Sequence, residues 1–326
     1  MKTTLFALTL IGASAAHASN CGDIAAGIYN LTNDLACNGN AITVAASNTT
    51  INLNGHTISC VGNGLGGSCQ WSLAPAGGNQ AVGISSKGFD HVTVNGKGVV
   101  SGFYIGIDLE NGKVLTVDNV TVTGPATPKI STNNRDVAFG IYISGSTCTL
   151  STLAPGPASQ LLNNEVDNQS VGIDIHNSSC VNIIGNNVHN NVSKTGFSHG
   201  VMLVNSANVT MYSNQVRFNG GNQGQDSGVM LYGTSTSQNY LYGNNVSNNC
   251  GSGIDAKNGP SNNAFVSNQA RNNGLYSTEG ICAIPAKNTY FDLSEENQGA
   301  NNNWNPNNLC HTQGPGIPAG VCNPGE

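Results

Sequence analysis

Hydrophobic and polar residues alternate along short runs of this chain, and each new run begins at a glycine. In residues 172–191, Gly172 is followed by Ile173 and Ile175, then by an Asn-rich turn and a second alternating run. The same opening recurs at Gly83, Gly106, Gly140, Gly200, Gly228, Gly253 and Gly280. Successive openings lie between 23 residues apart (83 to 106) and 34 residues apart (106 to 140). Self-similarity at such a period indicates a solenoid.

Alternation with a period of two predicts strands within each repeat. One unit shows it at Val201 and Leu203, and again at Val209 and Met211. Asn and Gly interrupt the chain every few residues, and no stretch has helical periodicity over a useful length. Short strands at this spacing fit a parallel β-helix, in which each strand stacks on its equivalent in the next coil. We therefore predict an all-β solenoid of one domain.

A column of asparagines supports the same fold. When the units are aligned, one turn position is occupied by Asn164, Asn186, Asn214, Asn244 and Asn268. The position two residues later holds Val166, Val188, Val216, Val246 and Ala270. Asparagine tolerates a left-handed backbone, and stacked copies can hydrogen-bond from coil to coil. We expect these residues to be structural.

The chain divides into four predicted parts. An early apolar run that ends in a small-x-small step predicts a signal peptide over residues 1–18. Residues 19–41 form an N-terminal cap, because an open solenoid end would expose unpaired strand edges. Residues 42–291 carry the repeat, and residues 292–326 form a C-terminal tail over the last coil. The leader predicts a secreted protein, either extracellular or periplasmic.

Ten cysteines suit an oxidising compartment, where disulfides persist. Cys148 and Cys180 each lie eight residues after the glycine of their unit, at 140 and 172, so they share a column in adjacent coils. That spacing brings them within disulfide reach. Sequence proximity suggests the remaining pairs Cys21 with Cys37, Cys60 with Cys69, Cys250 with Cys282, and Cys310 with Cys322.

Charged residues make up only 9% of the chain, and the formal net charge is −6. A protein that binds nucleic acid needs a basic surface, so no nucleic-acid partner is expected. No apolar stretch is long enough to span a membrane. We expect a monomer, and a groove along a rigid stack of strands suits an extended polymer as its partner.

Scarce charge makes its clustering informative. Positions two and four residues after each glycine point outward from the first strand of a coil. In the middle coils these positions hold Asp108, Glu110, Tyr142, Asp174 and His176, and Tyr232 follows two coils later. Long loops leading into these coils carry Arg135, His199 and Asp226 and would form the wall of a groove. The alternative interpretation is a solvated sheet face, and Lys87 and Lys257 are predicted to lie far from the cluster.

The repeat resembles the right-handed parallel β-helix superfamily of secreted carbohydrate-active proteins, which includes pectate and alginate lyases, polygalacturonases and mannuronan C5-epimerases. The stretches VGIDIHNSS at 171–179 and SHGVMLVNS at 198–206, with SGVMLYGTS at 227–235, are similar to the epimerase pattern YGxDPHD followed by HGIxxSR. Asp174, His176, His199 and Gly200 match this pattern. Val171, Ile175, Asn177 and Asn205 stand where the family has Tyr, Pro, Asp and Arg.

The resemblance implies action on a uronic-acid-containing glycan by removal of the C5 proton, as a β-elimination lyase or a C5-epimerase. In this scheme His176 is the base, Tyr142 is the acid, and Asp174 orients the imidazole. The substrate carboxylate would be neutralised by Arg135, or by Ca²⁺ held at Asp108 and Glu110. His199, Asp226 and Tyr232, together with Arg135, would bind substrate.

Two alternatives stay open. In an inverting glycoside hydrolase, Asp108 and Asp174 would lie two strand spacings apart, roughly 9.6 Å, near the upper end of the separation for such a pair. The NTD, DD, GHG and RIK motifs of polygalacturonases are, however, missing from the sequence. In a non-catalytic glycan-binding or cell-surface protein, the outward Tyr, Met and Asn side chains would only form an adhesive wall.

Overall fold

The structure is a computed structural model. It describes residues 19–61, 69, 81–124, 137–148, 158–193, 198–221, 226–274, 290–296 and 301–323. The predicted signal peptide at 1–18 lies outside this range. The described residues form strands and turns, and the strands belong to three parallel sheets that stack along the chain.

The first sheet contains the strands that begin at the repeated glycines. Among the described residues it has ten strands in chain order. They are Asp23–Ala25, Ile42–Val44, Val82–Lys87, Ile105–Glu110, Phe139–Ser144, Val171–His176, His199–Val204, Ser227–Tyr232, Ser252–Lys257 and Leu293–Glu295. The six-residue strands in its middle are the longest and carry the outward charged and aromatic side chains.

The second and third sheets follow in each coil. In the described part of the chain the second sheet has ten strands, Ile28–Asn30, Thr50–Asn52, Thr93–Asn95, Thr116–Asp118, Ser159–Leu162, Val181–Ile184, Thr210–Tyr212, Tyr240–Tyr242, Ala264–Val266 and Asn303–Trp304. The third has eleven, Leu35–Cys37, Thr57–Cys60, Val99–Ser101, Thr121–Thr123, Glu165–Asp167, Asn187–His189, Gln215–Arg217, Asn245–Ser247, Gln269–Arg271, Asn308–Cys310 and Cys322–Asn323. One strand from each sheet makes one coil, so the fold is a parallel β-helix.

The apolar columns form the core of the solenoid. Ile141 pairs with Ile173, and Ile173 with Val201, and all three are fully buried. Gly172 opens its coil because a Cβ atom there would lie 2.5 Å from Val188 Cγ1 and 2.7 Å from the Gly200 carbonyl oxygen. The repeated glycine therefore lets consecutive coils approach at the corner before the first sheet.

Both ends of the chain join the stack. The predicted cap contributes Asp23–Ala25, Ile28–Asn30 and Leu35–Cys37, which form a coil of their own. The repeat also extends beyond residue 291, because Leu293 pairs with Ile254 in the first sheet. Gly280, the expected opening of this coil, lies outside the described residues. The Trp304 ring stacks on Phe265 at 3.8 Å between centroids, so the predicted tail closes the core by continuing it.

The asparagine column forms a buried ladder, as the repeat predicts. The Asn186 side chain donates to Asn214 Oδ1 at 3.0 Å, and Asn214 donates to Asn244 Oδ1 at 2.9 Å. The ladder asparagines themselves do not use the left-handed backbone that asparagine tolerates. The left-handed residue is the one before each ladder position, for example Asn163 and Ser213 with φ of 52° and 54°.

Four predicted disulfides are present: Cys21–Cys37, Cys60–Cys69, Cys148–Cys180 and Cys310–Cys322. The Cα atoms of Cys148 and Cys180 are 5.7 Å apart across adjacent coils. Cys250 is also disulfide-bonded, and its predicted partner Cys282 lies outside the described residues. Such a set of disulfides is typical of proteins outside the cytosol. Within the described ranges, no helix has the length and apolarity needed to cross a membrane.

Candidate functional site

The outward face of the first sheet carries two columns of side chains. Register places Asp108, Tyr142, Asp174, Met202, Met230 and Asp255 in one column, and Lys87, Glu110, Ser144, His176, Val204, Tyr232 and Lys257 in the other. A solvated face would expose its carboxylates. Asp108, Asp174 and Asp255 are instead only 1%, 4% and 1% exposed, so the solvated-face interpretation fails for them.

A cavity of about 600 Å³ lies on this face. Its walls are mostly apolar, and six of the lining side chains are polar or ionisable. The lining residues are Ile105, Val137, Phe139, Tyr142, Val171, Asp174, His176, His199, Met202, Val204, Met230, Tyr232 and Lys257. Five predicted site residues therefore share one cavity: Tyr142, Asp174, His176, His199 and Tyr232.

Tyr142 and His176 lie on adjacent strands, with ring centroids 6.4 Å apart and planes tilted by 41°. Phe139 packs against Tyr142 at 5.2 Å between centroids. Burial raises the pKa of the Tyr142 phenol and lowers the pKa of the His176 imidazole. At neutral pH the phenol therefore keeps its proton, while the imidazole is free to accept one.

Asp174 follows Tyr142 in the same column and precedes His176 by two residues on one strand. Its Oδ1 atom is buried without a hydrogen-bond partner, and burial raises its pKa to about 8. The side chain is therefore a neutral carboxylic acid at neutral pH. Among the described residues no hydrogen bond joins Asp174 to His176, so the orienting role of Asp174 has no direct contact behind it and stays a prediction.

His199 begins its strand and is fully buried in the wall of the cavity. Its Nδ1 atom accepts a hydrogen bond from the Ser227 backbone N–H at 3.1 Å. Burial, with a further effect of Lys257, lowers the pKa of His199 to about 3. The ring is therefore neutral, and its proton lies on Nε2, which makes that atom a donor.

Asp108 and Glu110 lie one coil from Lys87, whose Nζ is 3.4 Å from Asp108 Oδ2 and 2.8 Å from Glu110 Oε1. The expectation that Lys87 lies far from the cluster was wrong. Burial, then the Glu110 charge, raises the pKa of Asp108 to about 6. Two carboxylates around an ammonium group do not fit Ca²⁺, which takes six to eight oxygen ligands. Nor do the described residues contain a group of three or more His, Cys, Asp or Glu side chains suited to a metal.

Lys257 is also expected far from the cluster, but the structure places it in the lining of the cavity, at the end opposite Tyr142. Its Nζ is 3.2 Å from both Asp255 Oδ2 and Glu296 Oε1. Although burial lowers its pKa, the two carboxylates outweigh this effect and the net shift is upward, so the ammonium group stays charged. The column shared with His176 and Tyr232 was the sequence signal for this position.

Asp226 is buried directly before the strand Ser227–Tyr232 and lies outside the cavity lining. Its Oδ1 accepts from the Ser198 N–H at 3.1 Å, and its Oδ2 accepts from the Gly221 N–H at 2.7 Å. The carboxylate therefore joins the backbone at Ser198 and Gly221, and its substrate-binding role stays a prediction. Arg135 lies outside the described residues, and its predicted role stays a prediction.

A comparison with known protein families agrees with the observed fold. The family described as a right-handed β-helix region matches residues 77–302. The chain belongs to this right-handed β-helix family. The predicted single-domain right-handed parallel β-helix is thus confirmed. No match was found among curated proteins.

Solved structures of the same architecture are distant in sequence. DFA-IIIase from Arthrobacter chlorophenolicus A6, without its lid, is 12% identical with a TM-score of 0.51, covering 88% of this chain and 68% of that one. The periplasmic alginate epimerase AlgG is 14% identical with a TM-score of 0.43, covering 74% of this chain and 57% of AlgG. The A-module of the Azotobacter vinelandii mannuronan C-5 epimerase AlgE6 is 12% identical with a TM-score of 0.39, covering 90% and 83%. At these identities the likeness concerns the β-helix fold alone.

Proposed function

We propose that this β-helix protein acts on a uronic-acid-containing polysaccharide outside the cytosol and removes the C5 proton of a sugar residue. The observation that carries the proposal is that His176, Tyr142 and Asp174 line one largely apolar cavity. His176 is a neutral imidazole, and Tyr142 and Asp174 keep their protons at neutral pH. One group can accept a proton while its neighbours can donate, which is the requirement for general acid–base chemistry.

His176 is the proposed base. The C5–H bond of a uronate lies next to the carboxylate, so its electron pair can delocalise into that group when the proton leaves. Transfer of the proton to the imidazole gives a carboxylate dianion and an imidazolium. The half-buried position of His176 keeps its pKa low, so the base form persists into mildly acidic solution.

Tyr142 is the proposed acid, from the adjacent strand. In β-elimination the bond from C4 to the glycosidic oxygen breaks, a C4–C5 double bond forms, and the phenol protonates the leaving oxygen. In epimerisation the phenol instead returns a proton to C5 from the opposite face of the ring. The two reactions share the first step and differ in where the phenol donates.

The dianion needs electrostatic stabilisation at its carboxylate. The protonated Asp174 can donate a hydrogen bond there, as a neutral carboxylic acid held in an apolar site does in other enzymes. His199 Nε2–H is a second donor in the cavity wall. Lys257 supplies a positive charge at the far end, and Arg135 is retained as a proposed substrate-binding residue. No step is assigned to Ca²⁺, because Asp108 and Glu110 surround Lys87.

The proposal is tested by incubating the purified protein with alginate, polygalacturonate and glycosaminoglycans, with and without Ca²⁺. Elimination gives unsaturated uronate that absorbs in the ultraviolet, and epimerisation changes the proton NMR spectrum without new chain ends. Either signal must disappear in His176→Gln and persist in His189→Gln, a histidine of the third sheet paired with Glu165. Activity that survives His176→Gln would overturn the assignment of the base.

One observation favours a second candidate, an inverting glycoside hydrolase. Asp108 and Asp174 lie two strand spacings apart in one column, with Tyr142 between them. Their pKa values of about 6 and about 8 make Asp108 ionised and Asp174 protonated at neutral pH, the states of a general base and a general acid. Asp108 is, however, absent from the cavity lining and bound by Lys87. New reducing ends without ultraviolet absorbance, abolished in Asp174→Asn, would select this candidate.

A further inference from the structure

A separate surface of the molecule carries exposed aromatic rings. Among the described residues, the exposed large hydrophobic side chains are Ile24, Ile28, Val61, Tyr212, Tyr232, Tyr240 and Tyr242. The first three lie near the N-terminal end, and the four tyrosines lie on two successive coils. Exposed tyrosines grouped on neighbouring strands, rather than scattered singly, are a candidate interaction surface.

Three of these tyrosines lie on the second sheet, away from the cavity face. Tyr212 and Tyr242 are paired in register, with ring centroids 5.3 Å apart and planes within 13° of parallel. Tyr240 and Tyr242 are two residues apart on one strand, with centroids 6.0 Å apart and planes within 7°. The rings are therefore nearly parallel and are held by strands rather than by a loop. We call Tyr212, Tyr240 and Tyr242 the tyrosine platform.

The second-sheet strands on either side of the tyrosine platform carry no charged residue. Its column continues to Ile184 in the preceding coil and to Val266 in the following coil. Thr210 and Ala264 flank Tyr240 in the parallel column. No outward position of these four strands carries a charge. A ligand recognised here must be bound through apolar faces and hydroxyl groups.

The platform is continuous with the cavity through the chain. Tyr232 lines the cavity at the end of a first-sheet strand, and Tyr240 begins the next strand of the same coil after a short turn. Tyr232 is itself 39% exposed. The platform therefore lies one turn of chain beyond the cavity, on the next face of the same coil.

We infer that the tyrosine platform is a second binding site for a polysaccharide chain, which holds the polymer outside the reaction cavity. A pyranose ring presents a face of C–H bonds that packs against an aromatic ring, and its rim of hydroxyls can bond to phenol groups. Rings with centroids 5.3 and 6.0 Å apart offer successive contacts to successive sugars. The identity of the ligand as a glycan rests on the proposed function, whereas the platform itself needs no chemistry in the cavity.

The test measures polymer binding in a His176→Gln background, so that turnover cannot consume the probe. Native gel electrophoresis through alginate, polygalacturonate or hydroxyethylcellulose reports binding as retarded migration. At least one polymer is expected to retard the protein, and retardation should survive added salt because the platform is uncharged. Changing all three tyrosines to Ala should weaken that binding about tenfold or more. The triple Tyr→Phe variant should bind nearly as well as the parent, because the rings remain.

The matched control is Ile24→Ala with Ile28→Ala, which removes exposed apolar surface at the other end of the stack. It should leave binding unchanged. Thermal unfolding checks that the variants are folded, and the single Tyr240→Ala variant repeats the test with a smaller change. Unretarded parent protein, or equal binding by the triple Ala variant, overturns the inference. So does a dimer in size-exclusion chromatography that the triple Ala variant converts to monomer, since the platform would then join two copies of this chain.

Failure of this inference is distinguishable from failure of the proposed function. If the platform binds polymer but the cavity performs no chemistry, the His176→Gln protein binds polymer fully, and the wild type gives no signal in the assays for elimination and epimerisation. If the chemistry is present but the platform is not a binding site, the triple Ala variant acts on long polymers as the wild type does. When both proposals hold, that variant loses activity on polymers and keeps it on short oligosaccharides.

Discussion

At the scale of single residues, burial sets the protonation state of a few side chains, and the proposed chemistry depends on those states. His176 is the sharpest case, because its neutral form is the proposed base. Replacing it with Gln removes the proton acceptor and should lower turnover by about 10²- to 10⁴-fold with little change in KM. His189→Gln should change neither parameter. In the wild type, turnover should be lost as the pH falls through a pKa below the ordinary histidine value of 6.5.

The raised pKa of Asp174 predicts how activity falls on the alkaline side of the pH profile. If its protonated form donates to the substrate, activity should fall as the pH rises through about 8. Asp174→Asn keeps a neutral donor, so the variant should retain activity and lose that alkaline limb. A pH profile of kcat/KM for both proteins checks this. An unchanged alkaline limb in the variant would remove Asp174 from the mechanism.

The same carboxyl group links stability to pH. Its pKa is raised from 3.8 to about 8 in the folded state, so the native protein holds a proton that the unfolded chain releases between those values. Its favourable contribution is complete below pH 3.8 and is lost as the pH rises to about 8. The free energy of unfolding of Asp174→Asn should therefore fall less over this range than that of the wild type. Urea denaturation at several pH values measures the difference.

At the scale of elements, the turns are held by ladders of buried amides. The Asn214 side chain donates to the Ile183 carbonyl at 2.7 Å and to Asn244 Oδ1, and it accepts from the side chain of Asn186. Asn214→Ala leaves several of these buried groups unpaired and should cost about 3 kcal/mol or more in unfolding free energy. The neighbouring exposed Gln215→Ala should cost under about 0.5 kcal/mol. Equal losses would mean that the ladder is not a stabilising element.

The repeat made the ladders and the fold predictable, because a coil of nearly constant length puts equivalent residues in contact. The same regularity misled at two points. Lys87 is 23 residues before Glu110 and was placed far away, although register makes them neighbours. The repeat predicts that the apolar residue after Gly280 opens the last coil. The structure instead pairs Leu293 with Ile254, although no glycine precedes Leu293. This pairing requires an apolar side chain and not a particular motif.

The burial of the outward face could not be predicted from the sequence. Alternation shows that Asp174 points away from the core, but it does not show what surrounds the side chain there. Met202, two residues after Gly200, and Val171, which directly precedes Gly172, line the cavity beside it. The raised pKa of Asp174 follows from that burial, and so the change in its proposed role from orienting residue to donor required the structure.

At the scale of the whole molecule, disulfides differ in what they connect. Cys148–Cys180 joins the two coils that carry Tyr142 and His176, whereas Cys310–Cys322 joins strands at the C-terminal end. The sequence separations are 32 and 12 residues, so loop-closure entropy gives similar stabilisation, about 3 to 4 kcal/mol in each case. Removing either bridge by two Cys→Ala changes should therefore lower stability to a similar extent.

Removing one bridge should affect activity and removing the other should not, because the proposed acid and base must keep their relative positions within a fraction of an ångström. Below the unfolding temperature, the variant without Cys148–Cys180 should lose turnover because the two coils that carry the proposed acid and base can shift against one another. The variant without Cys310–Cys322 should keep turnover, because the coils that carry the cavity are unchanged. Initial rates measured well below each melting temperature provide the comparison. If both variants keep full turnover, the stacked sheets alone are rigid enough to hold Tyr142 and His176 in place, and the bridge between their coils serves stability alone.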